Sequence, residues 1–152
     1  MRFDPKTEAV LDRASAACGA RGAQLTPLRR TVLGLVQQSP TPIGAYALLD
    51  QLKGDRGAAA PPTVYRALDF LLAQRLVHRL EKLNAFVACH VHECGSDHDH
   101  AAQFLICDRC GAVTELEEPA ITRAVEAAAG RAGFHATRAT IEVEGTCARC
   151  AP

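Results

Sequence analysis

The sequence predicts an α+β chain in two parts, a helical N-terminal half that closes on a short β-hairpin and a small C-terminal α/β unit. Three observations predict it. Apolar residues recur at helical spacing in successive stretches up to residue 72, and beyond residue 75 they shorten into strand-length aliphatic segments. In the second part, Cys107-Asp-Arg-Cys110 is answered by Cys147-Ala-Arg-Cys150. Two residues between the cysteines of a pair let both thiolates converge on one ion at a tight turn. Two such turns supply the four soft ligands of a closed tetrahedral zinc site. The 36 residues between Cys110 and Cys147 exceed the span of a minimal zinc ribbon, so the site is expected to pin together the two ends of a small domain. A disulfide pair or a redox CxxC is the competing reading of the same residues.

The elements follow in order. From Pro5 to Cys18, Val10, Leu11, Ala14, Ala17 and Cys18 lie on one helical face, with Gly19 and Gly22 ending the run and Cys18 expected as a packed thiol. Thr26 as N-cap and Pro27 at the first helical position open a second helix, with Leu28, Val32, Leu35 and Val36 inward and Arg29 and Arg30 outward. Pro40 and Pro42 break the chain before a third helix on Ala45, Leu48, Leu49 and Leu52, whose opposite face carries Tyr46, Asp50 and Lys53; Gly54 to Pro62 reads as a loop. A fourth helix begins at Pro61-Pro62-Thr63-Val64-Tyr65-Arg66, burying Val64, Ala67, Leu68, Leu71 and Leu72. Leu76–Glu81 and Ala85–Ala88 flank Lys82-Leu83-Asn84 as a hairpin. Short helices followed by a hairpin read as a winged helix-turn-helix, in which the last helix enters the major groove with its N-terminal end leading. Residues 103–107 and 112–116 read as strands around the first CxxC turn. Pro119 opens a helix on Ile121, Val125, Ala128 and Ala132, and residues 139–144 read as a third strand with a sheet edge open for pairing. The domains predicted are a DNA-binding domain at 1–88, a hinge at 89–102, and a dimerisation and metal-binding domain at 103–152.

Composition narrows the class. No apolar run is long enough to span a membrane and the N-terminus does not begin like a signal peptide, so a cytoplasmic protein with metal-ligating rather than disulfide-bonded cysteines is expected. The net charge of zero hides an asymmetry, with residues 1–88 at +5 and residues 89–152 at −5. A basic half joined to an acidic, metal-rich half fits a nucleic-acid reader fused to a sensing or assembly domain. Five of the six histidines lie between residues 78 and 100, where His78, Cys89, His90, His92, Cys94, His98, His100 and Glu115 form a second, mixed set of candidate ligands. Nitrogen, sulfur and oxygen donors together suit a more exchangeable zinc than four thiolates do.

At Pro61-Pro62-Thr63-Val64-Tyr65-Arg66-Ala67-Leu68-Asp69-Phe70-Leu71, with Cys107-Asp-Arg-Cys110-Gly and the terminal CxxC downstream, the chain resembles the ferric uptake regulator family, and within it the zinc uptake branch. The resemblance runs along nearly the whole chain. It implies a zinc-responsive transcriptional repressor that binds operator DNA as a dimer, with one or two dimers per operator, and that is not an enzyme. It implies two zinc ions per monomer, a structural one on Cys107, Cys110, Cys147 and Cys150 and a regulatory one on His78, Cys89, His100 and Glu115. His90, His92, Cys94 and His98 are left over as candidates for a third site. It points to Tyr46 and Arg66 as base readers, with Thr63 and Tyr65 nearer the phosphates; a guanidinium can donate two hydrogen bonds to guanine O6 and N7. The histidine that iron-sensing relatives carry three residues before the CxxC is replaced here by Phe104, which favours zinc over iron or peroxide sensing.

Two rivals come from other classes. A zinc deaminase needs H-x-E followed by P-C-x-x-C, but here His92 and Glu93 are adjacent and Ile106 precedes Cys107. A zinc-storage or redox protein would not need the helical, basic N-terminal half.

Overall fold

A computed structural model describes residues 2–56, 60–89 and 101–151. The chain forms two compact units, Met1–Ser96 and Asp97–Pro152. The first contains α1 (Pro5–Ala20), α2 (Pro27–Gln38), α3 (Ala45–Arg56), α4 (Pro61–Ala73), β1 (Val77–Leu80) and β2 (Ala85–Ala88). The second contains β3 (Ala102–Cys107), β4 (Val113–Leu116), α5 (Pro119–Arg131) and β5 (Thr140–Gly145).

The core of the first unit is built around α2. Thr31 to Val36 are buried consecutively, so this helix is enclosed on nearly every side rather than along one stripe. The buried Thr31 hydroxyl donates to the carbonyl of Pro27, which removes the cost of desolvating it. Thr26 caps the helix from the position its sequence predicts, accepting from the Arg29 N–H. At the other end, Asp4 caps α1 through the N–H groups of Lys6 and Thr7 and also accepts from the Gln38 amide, tying the start of α1 to the end of α2. The Thr7 hydroxyl also donates to Asp4 at 2.6 Å, and this bond, with the one from Gln38 and the backbone donors, holds the Asp4 carboxyl well below its ordinary range.

Arg29 and Arg30 do not simply face solvent. Arg30 reaches Glu8 at 2.6 Å and Asp12 at 2.8 Å on α1, and Arg29 stacks on the Phe70 ring of α4 with 3.7 Å to its centroid. Tertiary partners account for both, and helical periodicity carries no information about them. The loop expected from Gly54 is also shorter, because α3 runs through Gly54 to Arg56. Arg75 then adopts φ 57° and the Leu76 N–H bonds back to the Leu71 carbonyl, closing α4 and turning the chain into β1.

The wing is the antiparallel pair β1–β2, with Val77 opposite Ala88 and Leu80 opposite Ala85. Ile43 adds a bridge to Phe86, so the segment before α3 is hydrogen-bonded to the hairpin in both directions, at 3.0 and 2.9 Å. The second unit has strand order β4-β3-β5, antiparallel on one side of β3 and parallel on the other, with α5 as the crossover. The inward side of α5 is Thr122, Val125 and Ala129, turned from the face its apolar residues predict; Ile121, Ala128 and Ala132 are exposed. One reason is Gln103, buried on β3, whose amide donates to the Glu118 carbonyl and the Thr122 hydroxyl.

The close approach of the half-buried Phe3 to α2 depends on Gly34, since a Cβ there would overlap the ring. Replacing Gly34 by Ala gains about 1 kcal/mol of helix propensity but displaces Phe3, whose packing is worth roughly as much or more. Gly34→Ala is therefore expected to be neutral or destabilising alone and stabilising in a Phe3→Ala background. Urea unfolding of the four variants measures this, and strict additivity would show that Phe3 does not rest on α2.

Candidate functional site

The two CxxC turns lie at the ends of strands. Cys107 is the last residue of β3 and is buried, the Asp108-Arg109-Cys110 turn leads towards β4, and Cys147 to Cys150 form a matching turn just beyond β5. Parallel pairing of β3 with β5 sets Cys107 beside Gly145, and the Asp108 N–H donates to the Gly145 carbonyl at 2.9 Å. Sheet register thus brings the second pair to the first across 36 intervening residues. Gly111 supplies the left-handed turn, φ 70°, that reverses the chain after Cys110.

All four sulfurs lie within 4.8 Å of one another, and Cys110 Sγ is 3.7 Å from Cys147 Sγ. A tetrahedron with Zn–S bonds of about 2.3 Å has edges of about 3.8 Å, so the Cys110–Cys147 pair stands at the spacing of a zinc site and the other sulfurs are gathered near it. Backbone amides complete the environment. The Cys147 N–H points at Cys107 Sγ at 3.4 Å. Together with N–H groups of Cys110 and Arg109, it draws the Cys107 thiol down to about 6. Cys150 is pushed up to about 12 by its hydrogen bonds with the Cys110 and Cys147 sulfurs. Sulfurs this close share protons, and a divalent cation would displace them. The donors are all soft, and the set is closed, with no position left for a substrate.

In the first unit, His78 lies on β1 and Cys89 follows β2, its N–H continuing the ladder to the Leu76 carbonyl at 3.1 Å. Both are half-buried, and their ligand atoms lie within 4.8 Å of each other. That follows from the hairpin: Leu76 stands opposite Cys89 and shares a face with His78. In the second unit, Glu115 is half-buried on β4, opposite Phe104. His100, and likewise His90, His92, Cys94 and His98, lie outside the described residues.

The nucleic-acid candidates fall on α3 and α4. Thr63, Tyr65 and Arg66 are exposed on the first turns of α4, while Val64, Ala67 and Leu68 anchor the same helix in the core. Tyr46, near the start of α3, is 73% exposed, so its ring is not part of the core. Two contributions escaped the sequence. One is the set of amide donors around Cys107, for which Gly111 after the CxxC was the available signal. The other is Arg29, whose stacking on Phe70 has no local signature.

Cys107→Ser is expected to lose the tightly held zinc and to leave the C-terminal unit unfolded, since one remaining pair and a lone thiol cannot close the site. In the wild type, retention of that zinc should weaken as pH falls, because protons compete for the thiolates. Elemental analysis with circular dichroism checks both, and a folded Cys107→Ser chain that keeps its zinc would contradict the four-cysteine assignment.

The profile of the ferric uptake regulator family matches residues 20–144. The zinc uptake regulation protein of Escherichia coli (strain K12) is 41% identical over 144 residues, covering 95% of this chain and 82% of that protein. Among solved structures, a zinc uptake regulator complexed with zinc and DNA has a TM-score of 0.86 at 41% identity, covering 95% of this chain and 94% of that one. The crystal structure of holo XcZur has a TM-score of 0.83 at 46% identity, covering 93% and 96%. A four-thiol cluster, a winged helix and these likenesses lead to one conclusion: the chain belongs to the ferric uptake regulator family.

Proposed function

We propose that this chain is a zinc-responsive transcriptional repressor, which binds operator DNA as a homodimer when regulatory zinc is bound and controls zinc uptake genes. The observation that carries the reading is the α4 surface. Thr63, Tyr65 and Arg66 stand free on its leading end in a chain 41% identical to a regulator solved with zinc and DNA. In a helix-turn-helix that end lies against base edges, with the phosphates flanking it. Arg66 and Tyr46 read bases, and Thr63 and Tyr65 hold the backbone. The +5 charge of residues 1–88 supplies the sequence-independent attraction.

Dimerisation is the work of the C-terminal unit. The outer strands of its three-stranded sheet have no further strand beside them among the described residues. Leu105, Ile121, Phe134 and Val143 are exposed on the same unit. Apolar groups left out of a monomer's core on a unit this small are what a second copy would cover. Such a regulator works in the cytoplasm, and no described helix is long and apolar enough to cross a membrane.

Two zinc sites serve different purposes. Cys107, Cys110, Cys147 and Cys150 form the structural one. His78, Cys89, His100 and Glu115 form the regulatory one, supported by the approach of His78 and Cys89 across the hairpin. Bound zinc would tie these donors to one another and favour the arrangement in which they converge. His78 and Cys89 belong to the hairpin that braces α3 through Ile43 and Phe86, so their engagement bears on the helices that meet DNA. Metal shifts the population only by as much as it binds the DNA-competent state better, and operator DNA must tighten zinc by the same factor.

Arg66→Ala is expected to weaken specific binding by about 1–3 kcal/mol while leaving the salt-dependent, non-specific component nearly intact. Equal losses on operator and random DNA would move Arg66 to the phosphates. Cys89→Ser is expected to keep the four-cysteine zinc and the dimer but to lose the exchangeable zinc and tight operator binding. Operator affinity measured against free zinc decides this; coincident wild-type and Cys89→Ser curves would overturn the regulatory site.

A further inference from the structure

The strands of the C-terminal unit put an aromatic residue between two carboxylates on one face of the sheet. In the order β4-β3-β5, Phe104 on the central strand lies directly opposite Glu115 on β4 and directly opposite Glu142 on β5. Directly opposite residues share a face, so all three side chains leave the sheet on the same side. Phe104 is 1% exposed and is the largest fully buried side chain among the described residues, whereas Leu105, its neighbour on the other face, is 40% exposed. Glu115 and Glu142 are each half-buried. Strands about 4.8 Å apart put Glu115 and Glu142 about 10 Å apart at the backbone, a gap that two glutamate side chains leaning inward can close onto one ion. Filled by a buried phenyl ring, the same gap gives neither carboxylate a path to the other and leaves no room for water.

Glu115 is also one of the four donors assigned to regulatory zinc, so what stands beside it bears on the metal. Zinc is satisfied by four donors of mixed type, whereas manganese takes six, mostly oxygen, and non-haem iron(II) keeps open positions beyond its protein ligands. An apolar group beside a ligand controls whether solvent and further donors reach the ion. We propose that Phe104 sets the metal selectivity of the regulatory site: its ring keeps Glu142 and water from the ion at Glu115, which holds the site at four protein donors and disfavours ions that need more. The inference rests on regulatory zinc being bound by His78, Cys89, His100 and Glu115. Phe104 is not a ligand; it occupies the space that a fifth or sixth donor would take. Glu142 is then a latent donor, adjacent but shut out, and removal of the ring is what admits it.

The test uses full-length protein with the four-cysteine site filled with zinc and exchangeable metal stripped by brief chelation, then titrated with cobalt(II) or manganese(II). Four-coordinate cobalt(II) absorbs intensely in the visible and six-coordinate cobalt(II) weakly, so the spectrum reports ligand number without reference to DNA. The wild type is expected to give the intense spectrum and to bind manganese weakly, as followed by the electron paramagnetic resonance of the free ion. Phe104→Ala is expected to lose cobalt band intensity several-fold and to bind manganese roughly tenfold more tightly. Adding Glu142→Leu to that variant returns apolar bulk, removes the donor and should restore the intense spectrum; Glu142→Leu alone should match the wild type. Because Phe104→Ala leaves a cavity and is liable to unfold, Phe104→His is the second variant. It keeps a ring and places a nitrogen donor there, and it should weaken the cobalt bands and gain manganese in the same way. A weak wild-type spectrum, wild-type spectra and manganese affinity in Phe104→His, or a Phe104→Ala spectrum that Glu142→Leu does not restore would each overturn the proposal while leaving the regulatory site standing. Cobalt bound undiminished by Glu115→Ala would overturn the site itself and this inference with it.

Discussion

The convergence of four thiols at one end of the C-terminal sheet is the constraint on which that unit depends. None of the residues of α5 is buried, and Leu105, Val143 and Phe134 remain in contact with water. So little enclosed apolar surface does not offset the conformational entropy of ordering a unit this size. A metal tie between the ends of β3 and β5 removes part of that entropy, because β3 and β5 are hydrogen-bonded neighbours and the turns beyond them need only meet. In the dimer proposed here, a second copy covering the exposed residues would supply more.

The N-terminal unit solves its stability differently. Its core is continuous from α1 through α2 to the wing, and α2 at the centre is enclosed by its neighbours. Because the inward residues of α4 are locked into that core, its outward residues are held without packing of their own. This division leaves Thr63, Tyr65 and Arg66 exposed and available for the recognition role proposed for them. Arg29 adds to the division, since its stacking on Phe70 ties α2 to the exposed side of α4.

The two units therefore have opposite physical character. One is a dry helical core that presents rigid side chains, and the other is a thinly buried sheet held by ligation. His78 and Cys89 lie in and just after the hairpin that closes the first unit, and that hairpin is bridged through Phe86 and Ile43 to the start of α3, so the ligation proposed for them would bear on the wing and on α3.

Much of this was legible in the residues. Periodicity located the described helices, alternation and turn residues located the strands, and the spacing of Cys107, Cys110, Cys147 and Cys150 pointed to the four sulfurs that the fold brings together. Those features are local, carried by a few consecutive residues and by the geometry of one helix turn or one tight loop. Tertiary structure alone decided the rest. It enclosed α2 on nearly all sides, turned α5 so that Gln103 could reach Thr122, gave Arg29 and Arg30 partners on other helices, and ranked the four sulfurs by exposure. Each of these depends on groups far apart in sequence, and no local pattern records which distant side chain will arrive to meet them.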